Sequence, residues 1–347
     1  MVFIFALAGL IFGVGYIAGI PKPLRLLLIC GVFVLAIISH LILPEDNAIR
    51  TLIGGSAIGW SVFLGLALVV FAYLSVLRRL KSAADTISED RQPMDTPLFS
   101  NSELDRYARH IMLREIGGPG QKALKEAKVL VIGAGGLGAP ALQYLGAMGV
   151  GTIGIIDDDV VENSNLQRQV IHTDARIGMP KVFSAKEAVE AQNPNVEVLP
   201  YHRRLTEDDA EKLFADFGLI LDGTDNFETR YLSNRVAAKL GKSLISGALS
   251  QWEGQLSVFD PTSGTPCYQC VFPEAPAPGL APSCAEAGVS AALPGVIGSM
   301  MAQEALKLIT GAGQALKGEM FFYDALYGES RKITLKKRAD CPVCGQS

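Results

Sequence analysis

The sequence contains few cysteines, few histidines and very little charge in its first quarter. Six cysteines in 347 residues are too few for a fold that is held together by disulfides. The four histidines have no metal-ligand spacing, and the missing G-x-S-x-G motif removes the usual interpretation as a hydrolase. The net charge of −4 comes from an acidic main body, which argues against a nucleic-acid partner.

Charge is distributed unevenly along the chain. Residues 1–81 carry six of the 31 Lys and Arg residues and two of the 35 Asp and Glu residues. A single soluble domain does not separate its charges in this way. We therefore expect a membrane region followed by an acidic soluble body.

Three uncharged apolar runs lie in the first region, at about residues 1–21, 26–44 and 51–77. Crossing a hydrocarbon core of about 30 Å takes roughly 20 helical residues, so each run is long enough. A cleaved signal peptide needs a positive residue before its apolar stretch, and none precedes Lys22. The sequence therefore predicts three transmembrane helices.

The charges between these runs predict the orientation. Lys22 and Arg25 follow the first run, and a cluster of Arg and Lys at 78–81 follows the third. With three spans both clusters lie on the same side, which the positive-inside rule makes cytoplasmic. We expect a multi-pass membrane protein, with residues 82–98 as a polar linker to a cytoplasmic domain, 99–347.

Apolar runs alternate with helical stretches beyond the linker. This alternation predicts an α/β domain with a Rossmann-like, doubly wound and mostly parallel sheet. A capping box at Ser100 and Glu103 opens its first helix, which we expect to end at the glycines 117–118. We predict strands at 128–132, 152–157, 197–201, 219–222, 243–246, 254–260, 319–324 and 332–336, helices at 139–148, 181–191, 207–217 and 228–240, and a buried or subunit-interface helix at 293–310.

A glycine-rich loop follows the first strand. Gly133, Gly135 and Gly138 form a G-x-G-x-x-G motif that opens a helix, so backbone N–H groups can approach phosphate at the helix N-terminus. Asp157 ends the next strand, where a carboxylate can accept from ribose hydroxyls. The motif predicts a nucleotide, with a nicotinamide cofactor as the default; glycines used only for tight packing are the alternative.

The residues after Asp157 argue against a dehydrogenase. Arg168 and Lys181 are two cations, which a triphosphate needs more than a dinucleotide does. Asp225 follows a strand's carboxyl end, where a carboxylate suits Mg²⁺ bound together with phosphates. The alternatives are a solvated surface pair for the two cations and a helix N-cap for Asp225.

The cysteines form two C-x-x-C pairs, Cys267 with Cys270 and Cys341 with Cys344. Four thiolates in two such pairs fit a closed, structural zinc site. The alternative is a redox pair or a disulfide, which a reducing cytoplasm disfavours. Cys284 stands apart in a Pro-, Ala- and Gly-rich stretch that we expect to be a mobile crossover loop, and it is either a nucleophile for an activated acyl group or an idle thiol.

Taken together, the motifs resemble the MoeB/ThiF/HesA adenylyltransferases, the bacterial relatives of ubiquitin-activating enzymes, and the molybdopterin-synthase (MoeB-type) branch most closely. The resemblance runs from about residue 104 to residue 345. It rests on Arg106-Tyr-Ala-Arg109-His, Gly133-Ala-Gly-Gly-Leu-Gly138, Asn165-Leu-Gln-Arg-Gln169, Gly178-Met-Pro-Lys181, Asp222-Gly-Thr-Asp-Asn226, Glu253-Gly-Gln255 and the paired C-x-x-C motifs.

The resemblance implies an activity. Such enzymes use Mg-ATP to adenylate the C-terminal glycine of a small ubiquitin-like sulfur carrier that ends in Gly-Gly, and sulfur then replaces AMP to give a thiocarboxylate. It implies catalytic roles for Arg168, Lys181 and Asp225, the last as the magnesium ligand, and a cysteine at position 284 that some relatives use. The implied nucleotide-binding residues are Gly133, Gly135, Gly136, Gly138, Asp157, Ser164, Asn165, Leu166, Gln167, Arg168, Lys181, Asp225 and Asn226.

Partners follow from the same resemblance. Arg109 matches an arginine that reaches the partner subunit's ATP site, which implies a homodimer. No rhodanese-like domain follows Cys344, so we expect a separate sulfur donor of the rhodanese or cysteine desulfurase type. Two rival interpretations are an NAD(P)-binding oxidoreductase, supported by the glycine loop and Asp157, and a catalytically inactive membrane-tethered scaffold for a ubiquitin-like protein.

Overall fold

The computed structural model describes residues 2–89, 98–277 and 284–345. The chain divides into two compact units, Met1–Thr96 and Pro97–Ser347. The boundary falls within the predicted linker, 82–98. The first unit is helical, and the second contains the sheet.

The N-terminal unit contains four helices: α1 (Val2–Ile17), α2 (Lys22–Ile42), α3 (Ala48–Ile53) and α4 (Ala57–Glu89). Two segments, Lys22–Ile42 and Ala57–Leu80, are long and apolar enough to cross a membrane. Their side chains are mostly exposed, as expected for helices without a soluble core around them.

The prediction of three spanning helices is reduced to two candidates. The helix of the first run, α1, has 16 residues, which at 1.5 Å per residue gives about 24 Å, less than the hydrocarbon thickness of about 30 Å. It ends early because Gly19 adopts a positive φ and Pro21 precedes the next helix.

The third apolar run is divided by a break between helices α3 and α4, where the continuous chain leaves the helical conformation. α3 ends at Ile53, and Gly54 and Gly55 have φ values of 64° and 86°, which only glycine adopts easily. Two buried side chains contact the carbonyls at this break: Trp60 Nε1 donates to Gly54 O at 2.9 Å, and His40 Nε2 lies 3.2 Å from Gly55 O. The predicted single span of 51–77 therefore becomes a short helix, a glycine turn and a long helix.

The long helix α4 also continues into the predicted linker. It extends to Glu89, and residues 81–89 contain neither glycine nor proline that would end it earlier. The rest of the linker, residues 90–97, lies outside the described residues.

The C-terminal unit is built on a sheet of eight strands in the order β3-β2-β1-β4-β5-β6-β7-β8. β1 to β5 are parallel, and β6, β7 and β8 follow as antiparallel strands. The sheet is therefore a mixed Rossmann-like sheet. The strands are β1 (Lys128–Ile132), β2 (Thr152–Ile156), β3 (Glu197–Tyr201), β4 (Leu219–Asp222), β5 (Ser243–Leu249), β6 (Glu253–Phe259), β7 (Glu319–Asp324) and β8 (Glu329–Thr334).

Helices cover both faces of this sheet, so two hydrophobic clusters form, one on each face. One cluster includes α7, α8 and α13, and the other includes α9 and α10. α13 packs against α7, β5 and β6, which confirms the predicted buried helix. The helices of this unit are α5 (Asn101–Ile111), α6 (Gly117–Glu126), α7 (Gly138–Met148), α8 (Lys181–Gln192), α9 (Glu207–Ala215), α10 (Phe227–Lys239), α11 (Tyr268–Val271), α12 (Cys284–Ala287) and α13 (Leu293–Thr310).

Several predicted boundaries differ from the structure, among them the end of α5 and the start of the last strand. α5 begins at the predicted capping box, where Glu103 N donates to Ser100 Oγ at 3.2 Å, but it ends at Ile111, and Gly117 opens α6 instead of closing α5. The last strand begins at Glu329 rather than 332, because it pairs with β7 directly after a tight turn and all its residues are exposed. Without a buried face, no apolar alternation marks its position.

Candidate active site

A cavity of 730 Å³ lies at the carboxyl ends of the parallel strands. It sits where β1 has β2 on one side and β4 on the other, the switch point at which open α/β sheets bind ligands. Eight of the residues singled out from the sequence line this cavity together: Gly133, Gly135, Gly136, Asp157, Arg168, Lys181, Asp225 and Asn226.

Glycines let the loop after β1 turn tightly beneath this cavity. Gly133 has a φ of 91°. A Cβ on Gly138 would lie 1.9 Å from the carbonyl oxygen of Gly133, so no larger residue fits there without moving the loop. Gly138 therefore makes the turn into α7, while Gly135 and Gly136 present backbone to the cavity.

The carboxylate of Asp157 holds the loop backbone. Its Oδ2 accepts from Ala134 N at 2.7 Å, and its Oδ1 accepts from Asp159 N at 2.8 Å. Burial raises the pKa of Asp157 above its ordinary value, and the Lys181 ammonium and these N–H donors oppose that shift. The side chain lines the cavity, so it is placed both to support the loop and to face a ligand.

His172 contacts the carbonyl oxygen of Ala134, the loop residue whose N–H is bound by Asp157. The sequence did not single out this histidine. Its Nε2 lies 2.9 Å from Ala134 O, and its Nδ1 lies 2.9 Å from Ser184 Oγ on α8. Since a carbonyl can only accept, Nε2 carries the proton and Nδ1 accepts from the Ser184 hydroxyl. Burial lowers the pKa of His172, which keeps the imidazole neutral. No local sequence pattern indicates this contact, because 38 residues separate His172 from Ala134.

Lys181 is buried at the start of α8, with its ammonium in the cavity wall. Its Nζ lies 2.6 Å from Oδ2 of Asp159, whose side chain is exposed. Burial distinguishes Lys181 from the solvated surface lysine of the alternative interpretation. Asp159 is a second residue that sequence reasoning did not select, although it follows Asp157 by only two positions.

Arg168 reaches the cavity from the turn before α8. Its side chain is half-buried, and Nη1 donates to the carbonyl oxygen of Ser164 at 3.0 Å. Asn165 is buried and its Oδ1 accepts from Glu162 N at 3.1 Å, which fixes this turn. The predicted binding residues Ser164, Asn165, Leu166 and Gln167 lie beside Arg168 but do not line the cavity.

The adjacent residues Asp225 and Asn226 have different roles: Asn226 caps a helix, and Asp225 faces the cavity. The side chain of Asn226 accepts from Thr229 N at 2.9 Å and is the N-cap of α10. Asp225 is not the cap, and its carboxylate is exposed in the cavity. An oxygen ligand is therefore available at the edge of the sheet, beside the cations.

Arg230 is a buried cation in the cavity wall that the sequence did not indicate. Its guanidinium donates to Ser246 Oγ at 3.1 Å, to Gly247 O at 2.8 Å and to the carbonyl of Thr224. These acceptors are neutral, so the positive charge is available to a ligand in the cavity. A single arginine within a polar helix usually faces solvent. The sequence around Arg230 therefore does not indicate that this residue is buried.

Two further residues were predicted to be catalytic, Arg109 and Cys284. Arg109 is exposed on α5 and does not line the cavity of its own chain. Cys284 begins α12, but its side chain lies outside the described residues, as do residues 278–283.

The four paired cysteines form a buried cluster. Their Sγ atoms lie 3.5 Å apart for Cys267 and Cys341, 3.3 Å for Cys270 and Cys344, and 3.9 Å for Cys267 and Cys270. Tetrahedral zinc with Zn–S bonds of about 2.3 Å requires sulfur separations of about 3.8 Å, whereas a disulfide requires about 2.05 Å. The cluster is therefore compatible with a tetrahedral zinc ion.

Donors from the surrounding fold face two of these sulfurs. Asn234 Nδ2 lies 3.7 Å from the Sγ of Cys267, and the backbone N of Arg338 lies 3.5 Å from the Sγ of Cys270. Such N–H contacts stabilise thiolates around a metal. The donor set thus fits the group that the paired motifs predict.

Comparisons with known proteins agree with this arrangement. The ThiF family matches residues 107–343. The sulfur carrier protein adenylyltransferase of Thermus thermophilus is 49% identical over 251 residues, covering 71% of this chain and 93% of the relative. The SAMP-activating enzyme E1 of Haloferax volcanii is 47% identical over 245 residues, with 71% and 90% covered. This chain belongs to the ThiF family.

Solved structures share the fold. The crystal structure of PaaA gives a TM-score of 0.61 at 24% identity, covering 75% of this chain and 83% of PaaA. The crystal structure of Escherichia coli MccB gives a TM-score of 0.62 at 21% identity, covering 71% and 74%. The resemblance to MoeB/ThiF-type adenylyltransferases is confirmed by the family match and the sequence relatives, and the solved structures show that the fold is shared.

Proposed function

We propose that this chain uses ATP to adenylate the C-terminal glycine of a small ubiquitin-like sulfur carrier, before thiocarboxylate formation in molybdenum cofactor or thiamine biosynthesis. The chain is an adenylyltransferase, because relatives that are 49% and 50% identical over the aligned residues carry this name. The observation that supports the proposal best is the convergence of a glycine loop and several cations on one cavity, among them Arg168, Lys181 and Arg230.

The reaction needs alignment and neutralisation of charge rather than a protein base. The carrier's terminal carboxylate is already ionised, and its oxygen attacks the α-phosphorus of ATP. The bond from that phosphorus to the bridging oxygen then breaks, and pyrophosphate leaves. Arg168 and Lys181 stabilise the charge on the phosphates, and the N–H groups of Gly135 and Gly136 hold them at the N-terminus of α7.

The remaining binding roles are assigned by position. Asp225 supplies the carboxylate for Mg²⁺, which neutralises phosphate charge when bound. Asp157 faces the ribose, and Asn165 fixes the turn that carries Arg168. Arg230 provides a buried positive charge beside the carboxyl ends of β4 and β5.

Zinc has a structural role in this proposal. The four cysteines Cys267, Cys270, Cys341 and Cys344 would complete its coordination, so no position remains for a reacting water. The ion would connect the segment before α11 to the segment after β8. We also propose a homodimer in which Arg109 reaches the cavity of the partner subunit, and a separate sulfur donor of the rhodanese or cysteine desulfurase type.

ATP–pyrophosphate exchange tests the function. The purified full-length chain is mixed with Mg-ATP, labelled pyrophosphate and a panel of molybdopterin-type and thiamine-type carriers that end in Gly-Gly. We expect label to enter ATP only when a matching carrier is present, because the carrier supplies the attacking carboxylate. A carrier without its terminal glycine is the control. Tight NADH binding without exchange would favour an oxidoreductase, and carrier binding without exchange an inactive scaffold.

We propose that α2 and α4 anchor the enzyme in the bacterial inner membrane, with the catalytic unit in the cytoplasm. Two helices of sufficient length and apolarity support this proposal, as do the cations at Lys22, Arg25, Arg78 and Arg79.

Deleting residues 1–81 tests whether this region only anchors the enzyme. We expect the truncated protein to be soluble and to keep an exchange rate close to that of the full chain, because every residue that lines the cavity lies in the C-terminal unit. Exchange is measured with the same carrier, beside fractionation of cells that express each form. Loss of exchange in a folded truncated protein would show that the helices contribute to catalysis.

A further inference from the structure

Three large apolar side chains are exposed on two adjacent turns of the sheet. Trp252 lies in the β5–β6 turn, and Leu326 and Tyr327 lie in the β7–β8 turn, with 45%, 53% and 76% of each residue exposed. Turn positions ordinarily carry Gly, Pro, Asn, Asp or Ser. We name these three residues the turn patch.

Backbone hydrogen bonds hold the turn patch in place. Ala325 N donates to Trp252 O at 2.8 Å and connects the two turns. Within the second turn, Oδ1 of Asp324 accepts from Leu326 N at 2.8 Å and from Tyr327 N at 3.1 Å. The patch is therefore preformed, which lowers the entropy cost of binding a partner.

The patch lies at the same edge of the sheet as the cavity. Leu249, the last residue of β5, lines the cavity, and β7 ends beside the start of β6 at this edge. Trp252 follows Leu249 by three residues, so their Cα atoms are separated by at most about 11 Å. The last residue of α12 is held to the first turn, since Gln251 Nε2 donates to Ala287 O at 2.7 Å.

We infer that the turn patch receives the folded body of the sulfur carrier while the carrier's C-terminal tail enters the cavity. This inference rests on the proposed function. An extended tail advances about 3.3–3.6 Å per residue, so a carrier with its terminal glycine in the cavity keeps its body within a few residues of the mouth. Exposed Trp and Tyr side chains are typical centres of protein interfaces, and they fit a partner with an apolar surface.

The double variant Trp252→Ser, Leu326→Ser tests the inference in the full-length protein. Exchange is measured against the concentration of the carrier that gives the fastest reaction with the wild type. We expect KM for this carrier to rise roughly tenfold or more, with kcat and the KM for ATP unchanged, because the patch contacts the carrier only. Leu104→Ser, on α5 and similarly exposed, is the matched control.

A synthetic peptide that copies the carrier's C-terminal tail separates docking from catalysis. We expect the variant and the wild type to adenylate this peptide at the same rate, because the peptide lacks a folded body. An unchanged KM for the intact carrier, or an equal loss with peptide and carrier, would overturn the inference. So would a change in oligomeric mass by light scattering, which would assign the patch to a second copy of the chain. Absence of exchange by the wild type overturns the proposed function instead.

Discussion

Replacing Arg168 with alanine is expected to lower the rate of ATP–pyrophosphate exchange by roughly 100- to 1000-fold, the usual cost of removing one electrostatic stabiliser. The guanidinium lies in the cavity wall and its neighbouring acceptor is a neutral carbonyl, Ser164 O at 3.0 Å. Its charge is therefore available to the phosphates. Asp225→Ala is expected to have a similar effect by removing the magnesium ligand. Neither residue is buried in the core, so the fold should be retained.

The matched control is Arg114→Ala, since the side chain of Arg114 is 93% exposed and its partner is the adjacent Glu115. Circular dichroism and zinc content confirm that each variant is folded. Exchange by folded Arg168→Ala protein within a factor of about two of the wild-type rate would contradict the proposed role of the cations.

Replacing Cys341 with serine is expected to abolish zinc binding and to destabilise the C-terminal unit. The remaining three thiols, buried with Sγ atoms within 4.8 Å of one another, cannot complete a tetrahedral site. If loss of the metal costs about 4 kcal/mol, the melting temperature falls by roughly 8–16 °C, at about 2–4 °C per kcal/mol for a unit of this size.

Metal analysis of the purified protein and a thermal melt measure both effects. Cys30→Ser, at an exposed cysteine on α2, is the control and should change neither the zinc content nor the melting temperature of the C-terminal unit. A wild-type protein without zinc, or a Cys341→Ser protein that melts at the wild-type temperature, would exclude a structural metal.

The sequence predicted the bounds of four strands, of which β1 and β4 are central and almost wholly buried, whereas β3 lies at the edge of the sheet and β7 is only partly buried. β1, β3, β4 and β7 have the predicted bounds, and their apolar runs are bounded by polar or glycine residues. The span predicted for the first apolar run is not confirmed, because the run forms a helix of only 16 residues that ends before Gly19 and Pro21. The exposed strand β8 was misplaced because it has no apolar pattern.

Three charged residues of the candidate site were predicted from the sequence, whereas Asp159, His172 and Arg230 were missed. Arg168, Lys181 and Asp225 follow motifs that place them after strands, so their convergence follows from the topology of a parallel sheet. His172 and Arg230 act through contacts with residues that are distant in sequence or with backbone carbonyls, such as Ala134 O and Gly247 O. Neither kind of contact leaves a local pattern.

The cysteine cluster has a consequence for the order of folding. Each of its cross-pairs joins residues 74 positions apart, and α13, β7 and β8 lie between them. Bringing such distant segments together costs loop entropy that contacts within the intervening helix and hairpin must first offset. Capture of the metal would therefore be a late step, and an apoprotein intermediate with a formed parallel sheet would accumulate when zinc is scarce.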